Sequence, residues 1–413
     1  MTPSETTVPY GIPLDRETRF DPPAAIMALH RDAEMRRLRY HPNGRLGWLV
    51  TSHRLARAVL SDSRFCSRLG GPAQAPVAMS GLEAYADFEG DFPTTPGMFI
   101  EMDPPDHTRL RRKLTGVFTV RRMRVLEPRI EQFVDQRLDA LAATGAPADL
   151  IEQFAMPVPA QMICELLGVP YEQRDRFESD TSAIFTLNSG DDAKEAAFGR
   201  LFGFISELAR AKRSEPTDDL LSDLAADPEL DESEIAGMGM LLLVAGHETT
   251  AKMIGLGTLA LLENRDQWDL LREQSELMAT AVEELLRYLT IIHTGIIRQV
   301  KTDFEFEGHP LTAGEYVTVS VQTANRDEAH FIDPDTLDVT RGAKGHLSFG
   351  HGVHQCLGQQ LARIEMRIAF SRLIDRFPDL RLAVPADEVP MRTDQSFYGA
   401  TELPVTWSDR GQD

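Results

Sequence analysis

The spacing of apolar residues along the chain predicts a mainly α-helical protein with a smaller β-sheet region. Apolar positions three and four residues apart, which share one face of a helix, recur over long stretches. They predict helices over 55–60, 109–118, 125–142, 160–167, 198–213, 234–263, 268–287 and 361–377. Alternation of apolar and polar residues predicts strands over 47–51, 304–306, 316–321 and 403–407. Residues 70–97 are rich in proline and glycine without a clear period, which predicts a long functional loop.

Composition narrows the class of protein. A chain of 413 residues could form several domains, but no linker or repeat divides it, so we expect one domain over 1–413 with short flexible ends at 1–10 and 408–413. The net charge of -21 opposes nucleic-acid binding. Three scattered cysteines indicate no disulfide framework, and no apolar run approaches the ~20 residues of a membrane span. We therefore expect a cytoplasmic protein without a membrane anchor.

Cys356 lies in a glycine-rich segment that favours a metal-bound thiolate. Residues 349–358 read FGHGVHQCLG. Small neighbours such as Gly350 let backbone amides approach a sulfur that faces a flat macrocycle, and Phe349 is placed to pack on that macrocycle. Apolar spacing resumes at Leu361, so the cysteine would precede a helix whose N-terminal amides favour the anion. The segment predicts a haem-thiolate loop.

Two other interpretations of Cys356 stay open on the residues alone. The first is an inert buried thiol, which is common among intracellular cysteines. The second is a zinc site, because His346, His351 and His354 lie nearby in the sequence. That cluster lacks the paired C-x-x-C or H-x-x-x-H half that structural zinc sites usually show.

The pattern F-x-x-G-x-H-x-C-x-G-x-x-x-A over 349–362 matches the cysteine-ligand signature of the cytochrome P-450 superfamily, which the chain resembles from about 101 to 407. The resemblance implies the single-domain fold of that family, with haem b between an oxygen-activation helix and the cysteine loop. It also implies that Cys356 is the axial thiolate ligand of the iron. In detail the chain is most similar to the soluble actinobacterial branch that tailors secondary metabolites or oxidises xenobiotics.

A second motif, AGHETT over 245–250, interrupts an otherwise apolar predicted helix. Its polar residues are poor choices for a buried helix interior unless something requires them. One interpretation is that the helix reaches the surface here and that Glu248 is merely solvated. The motif resembles the family's oxygen-activation sequence, which implies oxygen activation by Thr249, proton delivery by Glu248 and a position beside haem for Ala245.

Glu284 and Arg287 lie three residues apart on one predicted helical face. Alone, such a pair contributes only ~0.2 to 0.5 kcal/mol and is usually exposed. The resemblance implies that this E-x-x-R pair and Arg341 form a buried structural network that holds the cysteine loop. Leu337 stands where the family pattern has an aromatic residue.

Haem carries two propionates, which need cationic partners. His107 and Arg111 are one helical turn apart, and an arginine fork suits a carboxylate. The resemblance adds Arg298 and His354 to this set. Taken alone, each of these four residues could equally be a solvated charge on the surface instead of a partner for a propionate.

The candidate substrate contacts are apolar, which predicts a bulky hydrophobic substrate. The resemblance implies that this substrate is a natural product such as a macrolide or polyketide and that it is hydroxylated or epoxidised. The candidate contacts are Phe92, Leu241, Val244, Ile296 and Phe397. Acidic residues also occur in the long loop, at Glu83, Asp87, Glu89 and Asp91. They predict either an ordinary solvated loop or a partner for a cationic amino sugar on the substrate.

No G-x-G-x-x-G nucleotide fingerprint occurs, so electrons should come from a separate ferredoxin with its ferredoxin reductase. A basic patch of Arg109, Arg112, Lys113 and Arg363 near the thiolate would attract such an acidic donor. We expect a monomer that uses O2. The alternatives are a xenobiotic-, terpenoid- or steroid-oxidising monooxygenase, and a haem protein of the same fold that acts as a peroxygenase or substrate carrier.

Overall fold

The computed structural model describes residues 11–39, 46–68, 95–187 and 190–408. It is mainly helical, which confirms the predicted fold class. The described helices are α1 (Ala24–Asp32), α2 (His53–Ser61), α3 (Asp106–Thr115), α4 (Val120–Thr144), α5 (Pro157–Leu167), α6 (Asp175–Phe185), α7 (Asp191–Ser214), α8 (Leu220–Ala226), α9 (Glu232–Glu263), α10 (Arg265–Glu273), α11 (Met278–Leu289), α12 (Val321–Ala324) and α13 (Gln359–Arg376). None of them is both long and apolar enough to cross a membrane.

Short strands form small sheets beside the helices. They are β1 (Met35–Arg39), β2 (Leu46–Val50), β3 (Phe65–Cys66), β4 (Ala148–Asp149), β5 (Ile296–Val300), β6 (Phe304–Phe306), β7 (His309–Leu311), β8 (Tyr316–Val319), β9 (Arg381–Leu382), β10 (Met391–Arg392), β11 (Gly399–Ala400) and β12 (Pro404–Thr406). The largest sheet has the order β1-β2-β8-β5-β3, in which β2 and β8 are parallel and the other neighbours antiparallel. A three-stranded sheet has the order β4-β12-β9, and β6 pairs with β7 as β10 does with β11.

Helix α9 runs through the main hydrophobic core. A capping box starts it, because the Asp231 carboxylate accepts from the Glu234 amide at 2.8 Å while the Glu234 carboxylate accepts from the Asp231 amide. The helix then packs against α5, α7 and α13. At Gly246 a Cβ atom would lie 2.8 Å from Cδ1 of Ile163, so the missing side chain lets α5 approach closely. The core thus holds the middle of α9 in a fixed position.

The predicted helix over 268–287 is wrong in one respect, because the chain forms two helices there. Helix α10 ends at Glu273, Gln274 leaves the helical conformation with φ -129° and ψ 71°, and a single 3₁₀ turn over Ser275–Leu277 leads into α11. Apolar spacing continues across the break because both helices bury one face, so periodicity alone did not reveal it.

A buried ion network connects α11 with the segment that follows α12. The Arg287 guanidinium donates to both Glu284 carboxylate oxygens at 2.7 and 2.8 Å, and neither side chain is exposed to solvent. Nε of Arg341 donates to the same Glu284 carboxylate at 3.1 Å. Arg287 also donates to the backbone carbonyl of Asn325, whose side chain accepts from the Leu347 amide at 2.7 Å. Leu347 lies two residues before Phe349, so the network reaches the cysteine loop.

We predict that Arg287→Met lowers the free energy of unfolding by ~3 to 5 kcal/mol, because it leaves the Glu284 carboxylate buried beside Arg341 alone. The matched control is Arg129→Met, which breaks the pair of Arg129 and Glu165, both 43% exposed, and should cost less than ~1 kcal/mol. Urea unfolding followed by circular dichroism measures both. Equal losses in the two variants would contradict the assignment of a special role to the buried network.

Candidate haem site

The cysteine loop is a tight turn in front of α13. The Cys356 amide donates to the Phe349 carbonyl at 2.8 Å, and the Gly350 amide donates to the Leu347 carbonyl at 2.8 Å. Gly350 has φ +67° and Gly352 has φ +75°, a left-handed conformation that glycine adopts without strain. A Cβ atom on Gly352 would lie 2.2 Å from the Leu60 carbonyl oxygen, so that position also requires glycine to pack against α2.

The environment of Cys356 favours a thiolate only if a further positive charge faces the sulfur. Burial raises the pKa of the Cys356 thiol, although backbone hydrogen bonds from Gly358 and Gln359 and the charges of Arg111 and Arg363 act in the opposite direction. The amides before α13 and the two arginines therefore do not hold the anion by themselves. A metal cation at the sulfur would supply the missing charge, since coordination deprotonates a thiol.

Phe349 is held in place by a side chain of α13. The Arg363 guanidinium carbon lies 4.5 Å from the Phe349 ring centroid, and Arg363 pairs with Glu283 at 2.6 Å. His346 contacts the other Glu283 oxygen at 3.1 Å. Burial of Glu283 opposes its ionisation, but the hydrogen bonds from His346 and Arg363 lower the pKa of Glu283 to about 2. The charged groups therefore fix an aromatic ring at the entrance to the cysteine loop.

Two arginines and two histidines converge beside this loop, from α3, β5 and the turn before Cys356. The His107 and His354 ring centroids are 4.2 Å apart. Arg111 donates to the Gln355 carbonyl, and Arg298 donates to the adjacent Ile297 carbonyl at 2.8 Å. Burial and then the nearby cations lower the pKa of His354 to about 3, and burial lowers the pKa of Arg298 to about 10.

The cluster fits a group that carries negative charge. Both ring nitrogens of His107 and Nε2 of His354 are buried without a hydrogen-bond partner in the described part of the chain. Arg298 has no ion pair with any described residue. Buried polar groups in native proteins are normally partnered, so these donors suit the carboxylates of a haem. The zinc alternative lacks a ligand set, because no group of three His, Cys, Asp or Glu side chains in the described residues could hold a metal ion.

The middle of α9 is open on one face. Ala245 is exposed and Thr249 is half-buried, although their neighbours Val244 and Thr250 are buried. The Thr249 hydroxyl donates to the Ala245 carbonyl one turn earlier, at 3.0 Å. Gly246 faces Ile163 of α5 instead, so it contributes to helix packing. Ala245 and Thr249 therefore line the accessible face of this helix.

Glu248 is buried, which excludes the interpretation that this part of the helix reaches the surface and that Glu248 is merely solvated. Its side chain is 4% exposed and lies 3.6 Å from Nζ of Lys252, one turn later in α9. His247, with no exposed side chain, lies 3.9 Å from the other carboxylate oxygen. Sequence reasoning missed Lys252, although a lysine between Ala251 and Met253 in a continuous apolar run was the available signal.

The predicted substrate contacts fall into three groups. Leu241 and Val244 are buried in α9, and Ile296 is half-buried on β5, where its Cδ1 atom is the nearest neighbour that a Cβ on Gly350 would meet, at 4.0 Å. Phe397 packs edge-on against Phe185 at the end of α6, with centroids 4.7 Å apart. Phe92 and the four acidic loop residues lie outside the described residues.

Comparison with known proteins identifies relatives along nearly the whole chain. Residues 192–404 match the family model described as Cytochrome P450. Cytochrome P450 105C1 of a Streptomyces species is 48% identical over 393 residues, which cover 95% of this chain and 97% of that protein. Pentalenic acid synthase of Streptomyces avermitilis is 42% identical over 413 residues, with coverage of 98% and 100%. The crystal structure of CYP105P1 in complex with filipin I has a TM-score of 0.90 at 41% identity and covers 98% of this chain and 100% of that one.

Proposed function

Because the chain belongs to the cytochrome P450 family of haem-thiolate monooxygenases, we propose that it hydroxylates or epoxidises a bulky hydrophobic natural product such as a macrolide or polyketide. The observation that carries the proposal is the cysteine loop beside the unpartnered nitrogens of His107 and His354, together with the apolar character of the predicted substrate contacts. In this proposal Cys356 binds the haem iron. His107, Arg111, Arg298 and His354 bind the propionates, and Phe349, Gly350 and Ala245 contact the macrocycle.

Haem, when bound, supplies the iron centre at which O2 is activated with electrons and protons. The residues of α9 have two tasks in this proposal. Thr249 places a hydroxyl at the accessible face, where it can exchange its bond to the Ala245 carbonyl for one to a ligand. Glu248, on the adjacent position, passes protons that are taken up from solvent to that hydroxyl. A pair of this kind favours O2 as oxidant, because hydrogen peroxide already carries its protons.

The apolar contacts set the substrate class. Leu241, Val244, Ile296 and Phe397 offer hydrocarbon surface and no charge, which suits a large apolar molecule. The relatives include a pentalenic acid synthase and a protein crystallised with filipin I. The alternative is that the substrate is a terpenoid, a steroid or a xenobiotic. Measurements of substrate binding distinguish this alternative from a macrolide or polyketide.

We predict that the purified ferric protein binds macrolides or related polyketides with a spectral shift and a Kd near or below ~10 μM, because burial of a large apolar ligand stabilises the complex. The measurement is a titration against a panel of macrolides, terpenoids, steroids and aromatic xenobiotics, followed by mass spectrometry of products formed with O2, ferredoxin and its reductase. Binding and oxidation confined to terpenoids, steroids or xenobiotics would contradict the proposed substrate class.

We predict that Thr249→Ala diverts electrons from product to hydrogen peroxide and lowers product per NADPH ~10-fold or more, because the positioned hydroxyl is lost. Thr258→Ala is the matched control. Thr258 makes the same bond to the carbonyl one turn earlier, at 2.8 Å, but it is fully buried away from the open face. Full coupling in Thr249→Ala, or equal uncoupling in the control, would contradict the role of Thr249. Product formation with hydrogen peroxide alone would favour a peroxygenase. No product formation, either with peroxide or with O2, ferredoxin and its reductase, would favour a substrate carrier.

The proposed electron donor is a ferredoxin that binds near α3 and α4. Three of the four predicted patch residues are neutralised, because Arg109 pairs with Glu234, Lys113 with Asp227 and Arg363 with Glu283. Arg112 is exposed without an ion pair among the described residues. The same holds at the start of α4 for Arg121, Arg122 and Arg124. Helix α4 runs along α13, which starts three residues after Cys356, so this corner borders the thiolate side.

We predict that the double variant Arg112→Glu/Arg121→Glu raises the KM for ferredoxin ~10-fold at low salt and that the effect fades as ionic strength rises. The control is the double variant Arg31→Glu/Arg381→Glu, which makes the same total change of charge at exposed arginines of α1 and β9. Steady-state reduction at several salt concentrations measures both variants. An equal effect of the control, or no effect of Arg112→Glu/Arg121→Glu, would place the donor elsewhere.

A further inference from the structure

Two neighbouring segments, residues 291–296 and 395–398, form what we call the substrate wall. They carry the predicted substrate contacts Ile296 and Phe397. An antiparallel bridge between Ile292 and Phe397 joins the two segments. A displacement of either segment therefore moves a side chain that is predicted to contact the substrate.

The wall's own hydrogen bonds leave some of its buried polar atoms unpaired. Nε2 of His293 donates to the Gln395 carbonyl, but Nδ1 of His293 is buried without a hydrogen-bond partner in the described part of the chain. The same holds for Oε1 of Gln395, whose Nε2 donates to Oγ of Ser182 on α6 at 3.1 Å. Because buried polar groups are normally paired, contacts with other elements are needed to fix the wall.

The wall also lacks close packing on one side. A cleft of about 460 Å³ is lined by Tyr398 of the wall and by residues 16–21, which precede α1. Val389 and Met391, which lie before the wall in the chain, line the same cleft. Close packing normally restrains buried segments, so a side chain that crosses from residues 16–21 to the wall has a large share in its support.

Arg16 makes that connection at two points. Its guanidinium carbon lies 4.0 Å from the ring centroid of Tyr398, which is buried. Its Nη2 donates to Oε1 of the buried Gln322 at 2.9 Å, and Nε2 of Gln322 donates to the His293 carbonyl at 2.8 Å. A planar guanidinium suits both contacts, because it stacks on a ring while it donates in its own plane.

Arg16 is itself held in place from the other side. Its Nη1 donates to the Asp21 carbonyl at 2.7 Å, and the Asp21 carboxylate lies 3.3 Å from Nη1 of Arg326, a side chain that is 1% exposed. Arg16 has no ion pair with any residue that the structure describes, so charge pairing does not account for its position. The arginine therefore links a fixed point of the chain to the substrate wall.

We propose that Arg16 is a positioning residue that holds the substrate wall, and with it Phe397, in the conformation that receives a bulky substrate. This inference rests on the proposed substrate contacts. Without the guanidinium, Tyr398 loses the group stacked on its ring and Gln322 loses a hydrogen-bond donor. The wall can then move toward the cleft, which withdraws Phe397 from a bulky ligand and leaves a small ligand at the haem unaffected.

The test uses two azoles in the haem-loaded protein, because an azole nitrogen binds ferric iron and shifts the haem spectrum. Imidazole is too small to reach the wall, whereas clotrimazole is bulky and apolar. We expect Arg16→Met to raise the Kd of clotrimazole ~10-fold and to leave the Kd of imidazole within ~2-fold of wild type. Arg16→Lys keeps a cation above Tyr398 and a donor for Gln322, so it should restore the Kd of clotrimazole to within ~3-fold.

Arg37→Met is the matched control. The Arg37 guanidinium carbon lies 3.9 Å from the ring centroid of the buried Trp48, and Nη1 donates to Glu315 at 2.5 Å. This arginine lies on β1, which β2 and β8 separate from β5, the strand that begins at Ile296. It should leave the Kd values of both azoles unchanged, because its contacts do not involve the wall.

Four results would overturn the inference if Phe397→Ala weakens clotrimazole binding. They are an unchanged Kd of clotrimazole in Arg16→Met, an equal rise for both azoles, no recovery in Arg16→Lys, and an equal effect of Arg37→Met. If Arg16→Met does not fold, Tyr398→Leu removes the stacked pair from the wall side and should give the same pattern. Unchanged clotrimazole binding in Phe397→Ala would instead remove Phe397 from the proposed substrate contacts and this inference with it.

Discussion

The ion network around Glu284 is the constraint on which the rest of the site depends. A carboxylate and a guanidinium with no solvent exposure are stable only while each has its partner. Arg287 also donates to the backbone carbonyls of Asn325 and Pro334. The Asn325 side chain in turn accepts from the Leu347 amide, which fixes the start of the cysteine loop. The position of Cys356 is therefore set by interactions far from its sulfur, and the glycines at 350 and 352 only allow the chain to turn there.

The loop and the cationic cluster need complementary groups of opposite charge. Burial raises the pKa of the Cys356 thiol, so a cation at the sulfur favours its ionisation, whereas buried nitrogens of His107 and His354 have no hydrogen-bond partner and Arg298 has no ion pair among the described residues. A metal ion alone would satisfy the sulfur and repel the cluster, and a carboxylate alone would do the reverse. An iron porphyrin with two propionates supplies both charges at a fixed separation.

The sequence predicted the long helices α4, α7, α9 and α13, the cysteine loop and the charged network, because each depends on local spacing or on a short motif. It did not predict α1, α6, α8 or α12, which are short. It did not predict β1, whose three arginines among five residues hide the strand alternation. It also merged α10 and α11, since both bury the same kind of face. The predicted basic patch is largely neutralised in the structure, because acidic residues distant in sequence, such as Glu234 and Asp227, pair with its members. Contacts of that kind depend on the tertiary fold and leave no local signal.

Helix α9 shows how one element combines rigidity with chemistry. Its apolar length anchors it in the core, and the capping box fixes its start, so the few polar side chains in its centre are held at defined positions. Each of those polar groups would destabilise the helix if left without a partner. The threonine uses the helix's own carbonyl, and the glutamate uses the lysine one turn later. Both polar groups therefore find their partners within the helix, so the rigid core can hold them without a buried group left unpaired.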